Sequence, residues 1–279
     1  MKVMAGIVLF NPDIKRLKEN IDAIYEQVDL VLLVNNGSDN IDVVRDMIAD
    51  CGKITVLDNG SNLGIATALK RIMSYAEKWE YDWVLTLDQD SVCQPGLINA
   101  YTLYYGLDSV GILTCNIVDR NFSISSGFTE GQEYREVSQC ITSASLIKVE
   151  AYRQTDGFDE KLFIDSVDFD ICINMRCHGY KIYKINYDGV LHEVGHGRNV
   201  KFLFKDYISY NHSPFRQYYM ARNHRYLVMK YPDQFSKLKE WIREIRSEAI
   251  ILFYEEDKIK KLRSRWKGLL DAKKIFAQR

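Results

Sequence analysis

Long apolar runs are missing from this chain of 279 residues. It has no stretch of about eighteen apolar residues, which excludes an ordinary membrane-spanning helix. The opening MKVMAGIVLFNPD reaches Asn11 and Pro12 before an apolar segment of signal-peptide length is complete, so we expect no cleaved signal. A strong excess of one charge is missing too: the net charge is -1, which argues against a nucleic-acid partner.

Paired cysteines and several common catalytic motifs are also missing. The six cysteines are scattered without a CxxC pair, so we expect reduced, mostly buried thiols, as in a cytoplasmic protein, and no disulfide framework. No GxSxG, GxGxxG or GxxxxGK motif occurs. These absences argue against nucleophilic triads, dinucleotide-binding enzymes and P-loop enzymes.

The N-terminal part of the chain alternates β and α patterns. Short aliphatic runs are separated by stretches in which apolar residues recur at helical spacing. The predicted strands are Val3–Leu9, Leu30–Val34, Lys53–Leu57 and Trp83–Leu87, and the predicted helices are Ile14–Gln27, Asp39–Ala49 (capped by Ser38 or Asp39) and Ala66–Trp79. Strands separated by helices predict an α/β fold with a mostly parallel sheet.

The rest of the chain changes character after about residue 210. Its predicted elements are the strands Ile112–Val118 and Lys181–Ile185, the helix Phe169–His178, and then the helices Pro214–Lys230, Pro232–Tyr254 and Asp257–Ala277. We therefore predict a catalytic α/β domain over residues 1–210 and a C-terminal helical appendage over residues 211–279.

Polar residues follow each of the four N-terminal strands, where an open parallel sheet binds its ligands. The clusters are Phe10-Asn11-Pro12, Asn35–Asp39, Asp58–Asn62 and Asp88–Ser91. Turns favour Asn, Asp, Gly and Ser in any protein, so one such cluster indicates little. Asp88 and Asp90, however, form a DxD arrangement, and two adjacent carboxylates suit Mg²⁺ or Mn²⁺ bound together with substrate phosphates.

Further motifs follow in a fixed order along residues 1–200. They are FNP, VNNGS, NxGxAxA (Asn62–Ala68), DQDS, GFDE (Gly157–Glu160), FIDSVD (Phe163–Asp168) and LHEVG (Leu191–Gly195). This ordered set resembles the inverting glycosyltransferases of family two, which have the GT-A fold. The resemblance implies metal-dependent transfer of a sugar from a nucleotide diphosphate donor to a saccharide acceptor.

The resemblance also implies roles for individual residues. The donor-binding residues would be Phe10, Asn11, Asn36, Asp39, Asp58, Asn62, Gly64, Asp88 and Gln89, and the metal ligands would be Asp88, Asp90 and His192. Asp168 corresponds to the catalytic base of the family. Val167 replaces the acid that usually comes before it, which keeps Asp165 as a second candidate. If this segment begins a helix, Asp165 and Asp168 share a face.

The string His192-Glu193-Val194-Gly195-His196 also matches the HExxH signature of zinc hydrolases. That chemistry needs a helix that places both histidines on one face. Gly189, Gly195 and Gly197 and the preceding strand pattern argue against a helix here. A zinc hydrolase is therefore a remote alternative.

The stretch Ser213–Asn223 resembles the RxYYxxRN stretch of bacterial rhamnosyltransferases of the same family. This resemblance implies dTDP-L-rhamnose as the donor and a growing, lipid-linked surface polysaccharide as the acceptor. Arg216, Tyr218, Arg222 and Asn223 would then bind the acceptor or a phosphate. Packing of the aromatic residues within a helix is the plain alternative.

The last predicted helix is basic and amphipathic. Its cations are Lys258, Lys260, Lys261, Arg263, Arg265 and Lys267, and its apolar residues are Ile259, Leu262, Trp266, Leu269 and Leu270. Such a helix suits peripheral attachment to the inner face of the cell membrane. A helix packed on its own domain and a homodimer contact remain open.

Two further functions stay open at this point. The first is a family-two transferase with a UDP-sugar donor carrying galactose, GlcNAc or galactofuranose. The second is a non-catalytic nucleotide-sugar-binding or scaffold protein, against which the retained Asp88, Asp90 and Asp168 argue.

Overall fold

The structure is a computed structural model that describes residues 1–119, 127–192, 198–202 and 205–278. Its strands and helices are labelled here in chain order. They are β1 (Val3–Leu9), α1 (Ile14–Ile24), β2 (Leu30–Asn35), α2 (Ile41–Met47), β3 (Ile54–Asp58), α3 (Ile65–Lys78), β4 (Trp83–Asp88), β5 (Val92–Cys93), α4 (Leu97–Thr102), β6 (Val110–Asp119), β7 (Tyr134–Val137), β8 (Ser145–Lys148), α5 (Val149–Arg153), α6 (Val167–Cys177), β9 (Lys181–His192), β10 (Arg198–Phe202), β11 (Lys205–Ser209), α7 (Pro214–Lys230), α8 (Lys237–Tyr254) and α9 (Lys258–Phe276).

One mixed sheet carries most of the strands, in the order β3-β2-β1-β4-β8-β6-β9-β5, with β7 paired to β9. The pairs β1–β2, β1–β4, β2–β3 and β6–β9 are parallel. Strand β8 is antiparallel to β4 and β6, and β5 and β7 are antiparallel to β9. The sheet confirms the predicted α/β class. Because β1 to β4 are parallel, their carboxyl ends meet at one edge.

The central strands are apolar on both faces because helices cover both sides. Residues such as Val31, Leu33 and Leu85 are fully buried in the main core. Gly6 in β1 lets α3 approach closely, since a Cβ there would lie 2.3 Å from Cγ2 of Ile72. The absence of a side chain at this position therefore sets the separation between α3 and the strand that leads into the first polar loop.

Several element boundaries differ from the prediction. Helix α1 ends at Ile24 and continues as a 3₁₀ turn, and α8 starts only at Lys237, after a separate 3₁₀ turn at Pro232–Gln234. The cap predicted for α2 is wrong, because Asn40 flanks that helix without a side-chain cap. The hydroxyl of Ser38 instead accepts a hydrogen bond from the amide of Asn11.

The chain forms two compact units. The sheet unit comprises Met1–Phe163 and Val167–Glu193, and the helical unit comprises Ile164–Ser166 and Val194–Arg279. The hairpin β10–β11 thus groups with the C-terminal helices, whereas the boundary predicted from the sequence falls after residue 210. The tripeptide Ile164–Ser166 belongs to the helical unit although both of its neighbours in the chain belong to the sheet unit.

Within the helical unit, α7 and α9 pack in close contact. A Cβ at Gly268 would lie 2.4 Å from the carbonyl oxygen of Tyr218, so only glycine fits there. Lys261 pairs with Glu255 at 2.9 Å and Arg265 pairs with Glu244 at 2.5 Å, and both cations are buried. These two residues belong to the interior, which corrects their assignment to an exposed basic face.

Candidate active site

The loops after β1 and β2 brace each other at the carboxyl edge of the sheet. Asn11 adopts a left-handed backbone with φ +46°. Its amide N–H donates to Ser38 Oγ at 3.0 Å, and its side-chain Oδ1 accepts from the amide of Asp39 at 2.7 Å. The side chain of Asn35 caps the same turn by accepting from the amide of Ser38 at 2.9 Å. Asn11 therefore holds the loop that carries Asp39.

Asn36 connects the loops after β2 and β3 and is buried. Its Oδ1 accepts from Nδ2 of Asn59 and from the amide of Leu63, both at 3.0 Å. Its Nδ2 donates to Oδ1 of Asn62, also at 3.0 Å. The structure thus brings together the clusters that the sequence predicted to converge. It also shows that Asn36 and Asn62 hydrogen-bond to neighbouring loops, so their amides support the shape of the site.

Asp58 ends β3 and lies exposed at the rim. Its carboxylate accepts from the amide of Gly60 at 2.9 Å, from Asn35 Nδ2 at 3.2 Å and from Arg45 Nη2 at 3.1 Å. Hydrogen bonds lower the pKa of Asp58 below its ordinary value. The bond from the Gly60 amide has the largest effect, and the bond from the Asn35 side chain also lowers it. Asp58 is therefore an ionised acceptor, and Asp39, in the loop after β2, is a second exposed acidic residue at this edge of the sheet.

Gly64 begins the NxGxAxA motif and permits a close backbone contact. It has φ +87°, and a Cβ there would lie 2.6 Å from the carbonyl oxygen of Phe163. That oxygen also accepts a hydrogen bond from the amide of Ile65 at 2.6 Å. The glycine predicted to allow close approach of a donor thus already has a neighbour inside the protein.

The DxD turn follows β4 and is anchored on both sides. The carbonyl of Asp88 accepts from Nδ2 of the buried Asn20 at 2.7 Å, and the amide of Asp88 donates to Ser143 Oγ at 3.3 Å. The side chain of Gln89 makes two hydrogen bonds to the backbone of Phe10, at 2.9 and 3.4 Å. Asp88 is half-buried and Asp90 is exposed, so both carboxylates can reach a ligand beyond the strand.

These two carboxylates fit a divalent ion that is shared with a substrate. Among the described residues, no group of three His, Cys, Asp or Glu side chains could hold a metal on its own. Mg²⁺ and Mn²⁺ in phosphate sites take one or two carboxylates and fill the other positions with phosphate oxygens and water. Asp88 and Asp90 provide such a donor set. The side chain of His192, the third predicted ligand, lies outside the described part of the chain.

Asp168 lies in the first turn of α6 and is half-buried. Its Oδ1 accepts from the amide of Phe169 at 2.9 Å, and a carboxylate at this end of a helix is stabilised by the helix dipole. Helix α6 begins at Val167, so Asp165 lies outside it with φ +65°. The condition for a shared helical face is therefore not met, and the two aspartates have different surroundings.

One segment, residues 140–145, touches both the DxD turn and α6. Ser143 Oγ accepts from the amide of Asp88 and lies 2.7 Å from Ser91 Oγ. Three residues earlier, the amide of Cys140 donates to the sulfur of Cys172 at 3.5 Å. Cys172 lies one helical turn after Asp168. The DxD turn and the helix that bears the candidate base thus both contact the same short segment, within the sheet unit.

Three of the cysteines, Cys93, Cys115 and Cys172, are buried thiols. All six cysteines lie in the described ranges and are free. Burial raises the pKa of Cys115 to about 11, and hydrogen bonding to Cys140 together with burial raises the pKa of Cys172 well above its usual range. Cys115 and Cys172 therefore stay protonated at neutral pH, and neither offers a thiolate nucleophile or metal ligand.

The HExxH string does not begin on a helix. His192 is the last residue of strand β9, which runs from Lys181 and is much longer than predicted. The other four residues of the string, 193–196, and the glycine that follows them lie outside the described residues. His192 therefore ends a strand, whereas the zinc-hydrolase signature needs its first histidine on a helix.

The RxYYxxRN stretch forms the N-terminal half of α7. Arg216 donates to Asp165 Oδ1 through Nε and Nη2, at 3.3 and 3.1 Å. Tyr218 donates to Asp271 Oδ2 at 3.1 Å, and the Arg222 guanidinium lies 4.5 Å from the centre of the Tyr219 ring. All four residues predicted to bind acceptor or phosphate, Asn223 included, thus lie on one helix, and each has partners inside the protein.

Sequence reasoning missed several residues that shape this site. Asn35 and Ser38 stand inside a polar cluster that was recognised, but nothing in the sequence distinguishes their bracing role. Asn20 lies on the buried face of α1, where an amide is unusual, and this was the one available signal. Ser143 has no such signal, because its partner Asp88 is 55 residues away.

Solved structures of glycosyltransferases share this fold. Staphylococcus aureus TarS, residues 1–349 in complex with UDP-GlcNAc, matches with a TM-score of 0.63 at 12% identity, over 98% of this chain and 81% of that chain. GalNAc-T7 with UDP, GalNAc and Mn²⁺ matches with a TM-score of 0.66 at 12% identity, over all of this chain and 57% of that one. A longer TarS chain is covered over only 43% of its length. These likenesses confirm the predicted GT-A fold.

Sequence comparison extends further. A Shigella flexneri protein described as dTDP-rhamnosyl transferase RfbF is 26% identical over 284 aligned positions, which cover 96% of this chain and 94% of the relative. The model of glycosyl transferase family 2 matches residues 5–153, which include most of β1, all of β2 to β4, the DxD turn and residues 140–145. With the sheet, the DxD turn and this match together, the chain belongs to glycosyl transferase family 2.

Proposed function

We propose that this glycosyltransferase transfers L-rhamnose from dTDP-L-rhamnose, with inversion, to a saccharide acceptor of a growing bacterial surface polysaccharide. One observation carries the catalytic part: residues 140–145 join the DxD turn to the helix that bears Asp168. The choice of rhamnose rests on the 26% identical dTDP-rhamnosyl transferase, which matches this chain nearly end to end. A UDP-sugar donor is the second candidate, because the structural relatives were solved with UDP or a UDP-sugar.

The donor would lie across the carboxyl ends of β1 to β4. The ionised Asp58 and the exposed Asp39 are acceptors suited to the imino N–H of a pyrimidine base. The half-exposed ring of Phe10 can pack against the base or the ribose. Asn11, Asn36, Asn62 and Gln89 would act by fixing the loops that carry these groups.

Asp88 and Asp90 would hold Mg²⁺ or Mn²⁺ against the donor diphosphate. The ion would supply charge neutralisation for the leaving nucleotide diphosphate. Asp168 would accept the proton of the acceptor hydroxyl, because it lies on α6 and not in the DxD turn. An in-line displacement needs the base and the leaving group on opposite sides of the anomeric carbon.

Donor preference can be measured by thermal shift with a panel of nucleotide sugars, each with and without Mg²⁺. Binding to the folded state alone stabilises it, by about 2.7 kcal/mol at one hundred times Kd. We expect dTDP-L-rhamnose with Mg²⁺ to raise Tm most and UDP-sugars to raise it less. If UDP-GlcNAc or UDP-galactose gives the larger shift at equal concentration, the UDP-sugar alternative replaces the rhamnose proposal.

A lipid-linked acceptor would be held at the cytoplasmic face of the membrane, and the helical unit would bind the membrane there. None of the helices in the described ranges has the length and apolar character to cross a bilayer. Helix α8 exposes Leu238, Trp241, Ile242 and Ile245 along one stripe. Its acids point elsewhere, since Glu240 and Glu244 pair with Arg243 and Arg265.

The helical unit also exposes cations on α8 and α9. Lys237 and Lys239 on α8, and Lys258, Arg263 and Lys267 on α9, are exposed, and so are Trp266 and Leu270. Exposed apolar residues together with exposed cations suit the interface of an anionic bilayer. We therefore propose that this surface attaches the protein to the membrane. The alternative is that the same surface forms a homodimer contact.

Vesicle sedimentation tests the attachment. We expect binding to anionic vesicles at low salt, weaker binding at high salt, and about a tenfold loss in Trp241→Ser because an interfacial aromatic anchor is removed. The matched control is Trp79→Ser, which changes another exposed tryptophan, in the sheet unit (53% exposed, against 64% for Trp241). Equal binding by both variants, or a concentration-dependent dimer that Trp241→Ser abolishes, would contradict the membrane assignment.

A further inference from the structure

The segment Phe163–Ser166, which leads directly into Asp168, has an unusual backbone. Asp165 and Ser166 both have φ +65°, and Phe163 has φ +52° with ψ -66°. Three non-glycine residues out of four in positive-φ conformations are disfavoured by contacts of Cβ with the backbone. Such a conformation persists only where the surrounding structure imposes it.

The first residue of the segment is fixed within the sheet unit. The carbonyl oxygen of Phe163 accepts from the amide of Ile65 at 2.6 Å. Gly64 comes directly before Ile65. Only glycine leaves room for the Phe163 carbonyl at that position, since a Cβ there would lie 2.6 Å from its oxygen. The next three residues, Ile164–Ser166, are held by other means because they group with the helical unit.

Asn223 of α7 binds these residues through two successive carbonyl groups. Its Nδ2 donates to the carbonyl of Ile164 at 2.6 Å and to that of Asp165 at 2.9 Å. The side chain is fully buried, and its Oδ1 accepts from Arg222 Nε at 2.8 Å. That bond fixes which end of the amide faces the segment. Only a planar NH₂ group with two hydrogens can satisfy both carbonyls from one position.

Arg216 adds a second contact from the same helix. Its guanidinium donates twice to Asp165 Oδ1. This pair is more exposed than Asn223, with 47% of the Arg216 side chain accessible. It therefore contributes less than the buried amide. Helix α7 thus contacts the segment in two ways. Asn223 binds the backbone of the segment, and Arg216 binds the side chain of Asp165.

We propose that Asn223 is a positioning residue that fixes the strained Ile164–Ser166 backbone and thereby the start of α6 and the direction of Asp168. The inference rests on the proposed role of Asp168 as the base. It assigns to Asn223 a role in place of the acceptor or phosphate contact suggested by the sequence. A fully buried amide whose hydrogens bind two protein carbonyls is not arranged to receive a sugar.

The test compares two amide-to-carboxylate changes on α7. Asn223→Asp keeps the shape but cannot donate to either carbonyl. Gln217→Glu makes the same chemical change at a buried amide that faces Arg265, which can accept a carboxylate. For each variant, kcat and the KM values of donor and acceptor are measured with the donor that the wild type turns over, together with hydrogen exchange of the peptide covering residues 163–170.

We expect Asn223→Asp to lower kcat about 100-fold, as for a misplacement of the base by about 1 Å, with donor KM within about twofold of wild type. Hydrogen exchange of residues 163–170 should rise in this variant and stay unchanged in Gln217→Glu. If Asn223→Asp does not fold, Asn223→Ser, which keeps one donor, should show the same pattern with a smaller loss of kcat.

Three results would overturn the inference: an unchanged kcat in Asn223→Asp, unchanged exchange of residues 163–170, or a rise in acceptor or donor KM that accounts for the whole loss. The last result would return Asn223 to substrate binding. A wild-type protein without turnover on any donor would instead contradict the proposed function. The hydrogen-exchange comparison would still decide whether Asn223 holds the segment.

Discussion

Asp168→Asn is expected to lower kcat by about 10²–10⁴-fold while donor affinity changes little, because the amide cannot take the proton of the acceptor hydroxyl. The carboxylate is half-buried in the first turn of α6, on a different element from the DxD turn that would hold the diphosphate. Measuring kcat by release of nucleotide diphosphate, and donor Kd by calorimetry, separates the two effects.

Asp165→Asn is the matched comparison. Asp165 is engaged by Arg216, and its second carboxylate oxygen is buried with no hydrogen-bond partner among the described residues. The asparagine keeps the backbone contacts to Asn223 and loses an ion pair, so we expect about a tenfold loss of kcat at most. If Asp165→Asn is inactive and still binds donor, while Asp168→Asn turns over normally, the base is Asp165.

The second large effect concerns the DxD turn. Asp90→Asn is expected to lower kcat/KM at least about 100-fold and to weaken donor binding in the presence of Mg²⁺, because a carboxylate ligand is replaced by a neutral amide. Activity should also disappear with a chelator and return with added Mg²⁺ or Mn²⁺. The matched control is Asp46→Asn, an exposed aspartate on α2.

Full activity in excess chelator would contradict the metal proposal even if Asp90→Asn were impaired. An Asp90→Asn variant whose donor Kd responds to Mg²⁺ as the wild type does would show that Asp90 is not a ligand. Retained activity in Asp46→Asn is needed in either case, since it separates loss of a ligand from loss of negative charge.

The parts of the fold that follow from local pattern were predictable. Strand β1 and helix α7 have the predicted bounds, Val3–Leu9 and Pro214–Lys230. An apolar run indicated the bounds of β1. A Ser-Pro start followed by helix-forming residues indicated the bounds of α7. The placement of β8 between β4 and β6 was not predictable, because strand order depends on pairings between distant segments.

The candidate site divides in the same way. Residue types at strand ends indicated where Asn36, Asp58 and Asp88 would meet, since carboxyl ends of parallel strands share one edge. Their individual roles depend on hydrogen bonds that the sequence does not encode locally. Asn223 and its partner Ile164 are 59 residues apart, so the sequence could not show the hydrogen bond that joins them.

The most direct measurement of the central claim is turnover with purified protein, Mg²⁺, one nucleotide sugar at a time and a panel of octyl glycosides as acceptors. Release of the nucleotide diphosphate is followed, and the anomeric configuration of the product is read by NMR. We predict that dTDP-L-rhamnose is used with the highest kcat/KM and that the product has the inverted configuration. Faster turnover of a UDP-sugar, or a product with retained configuration, would contradict the account.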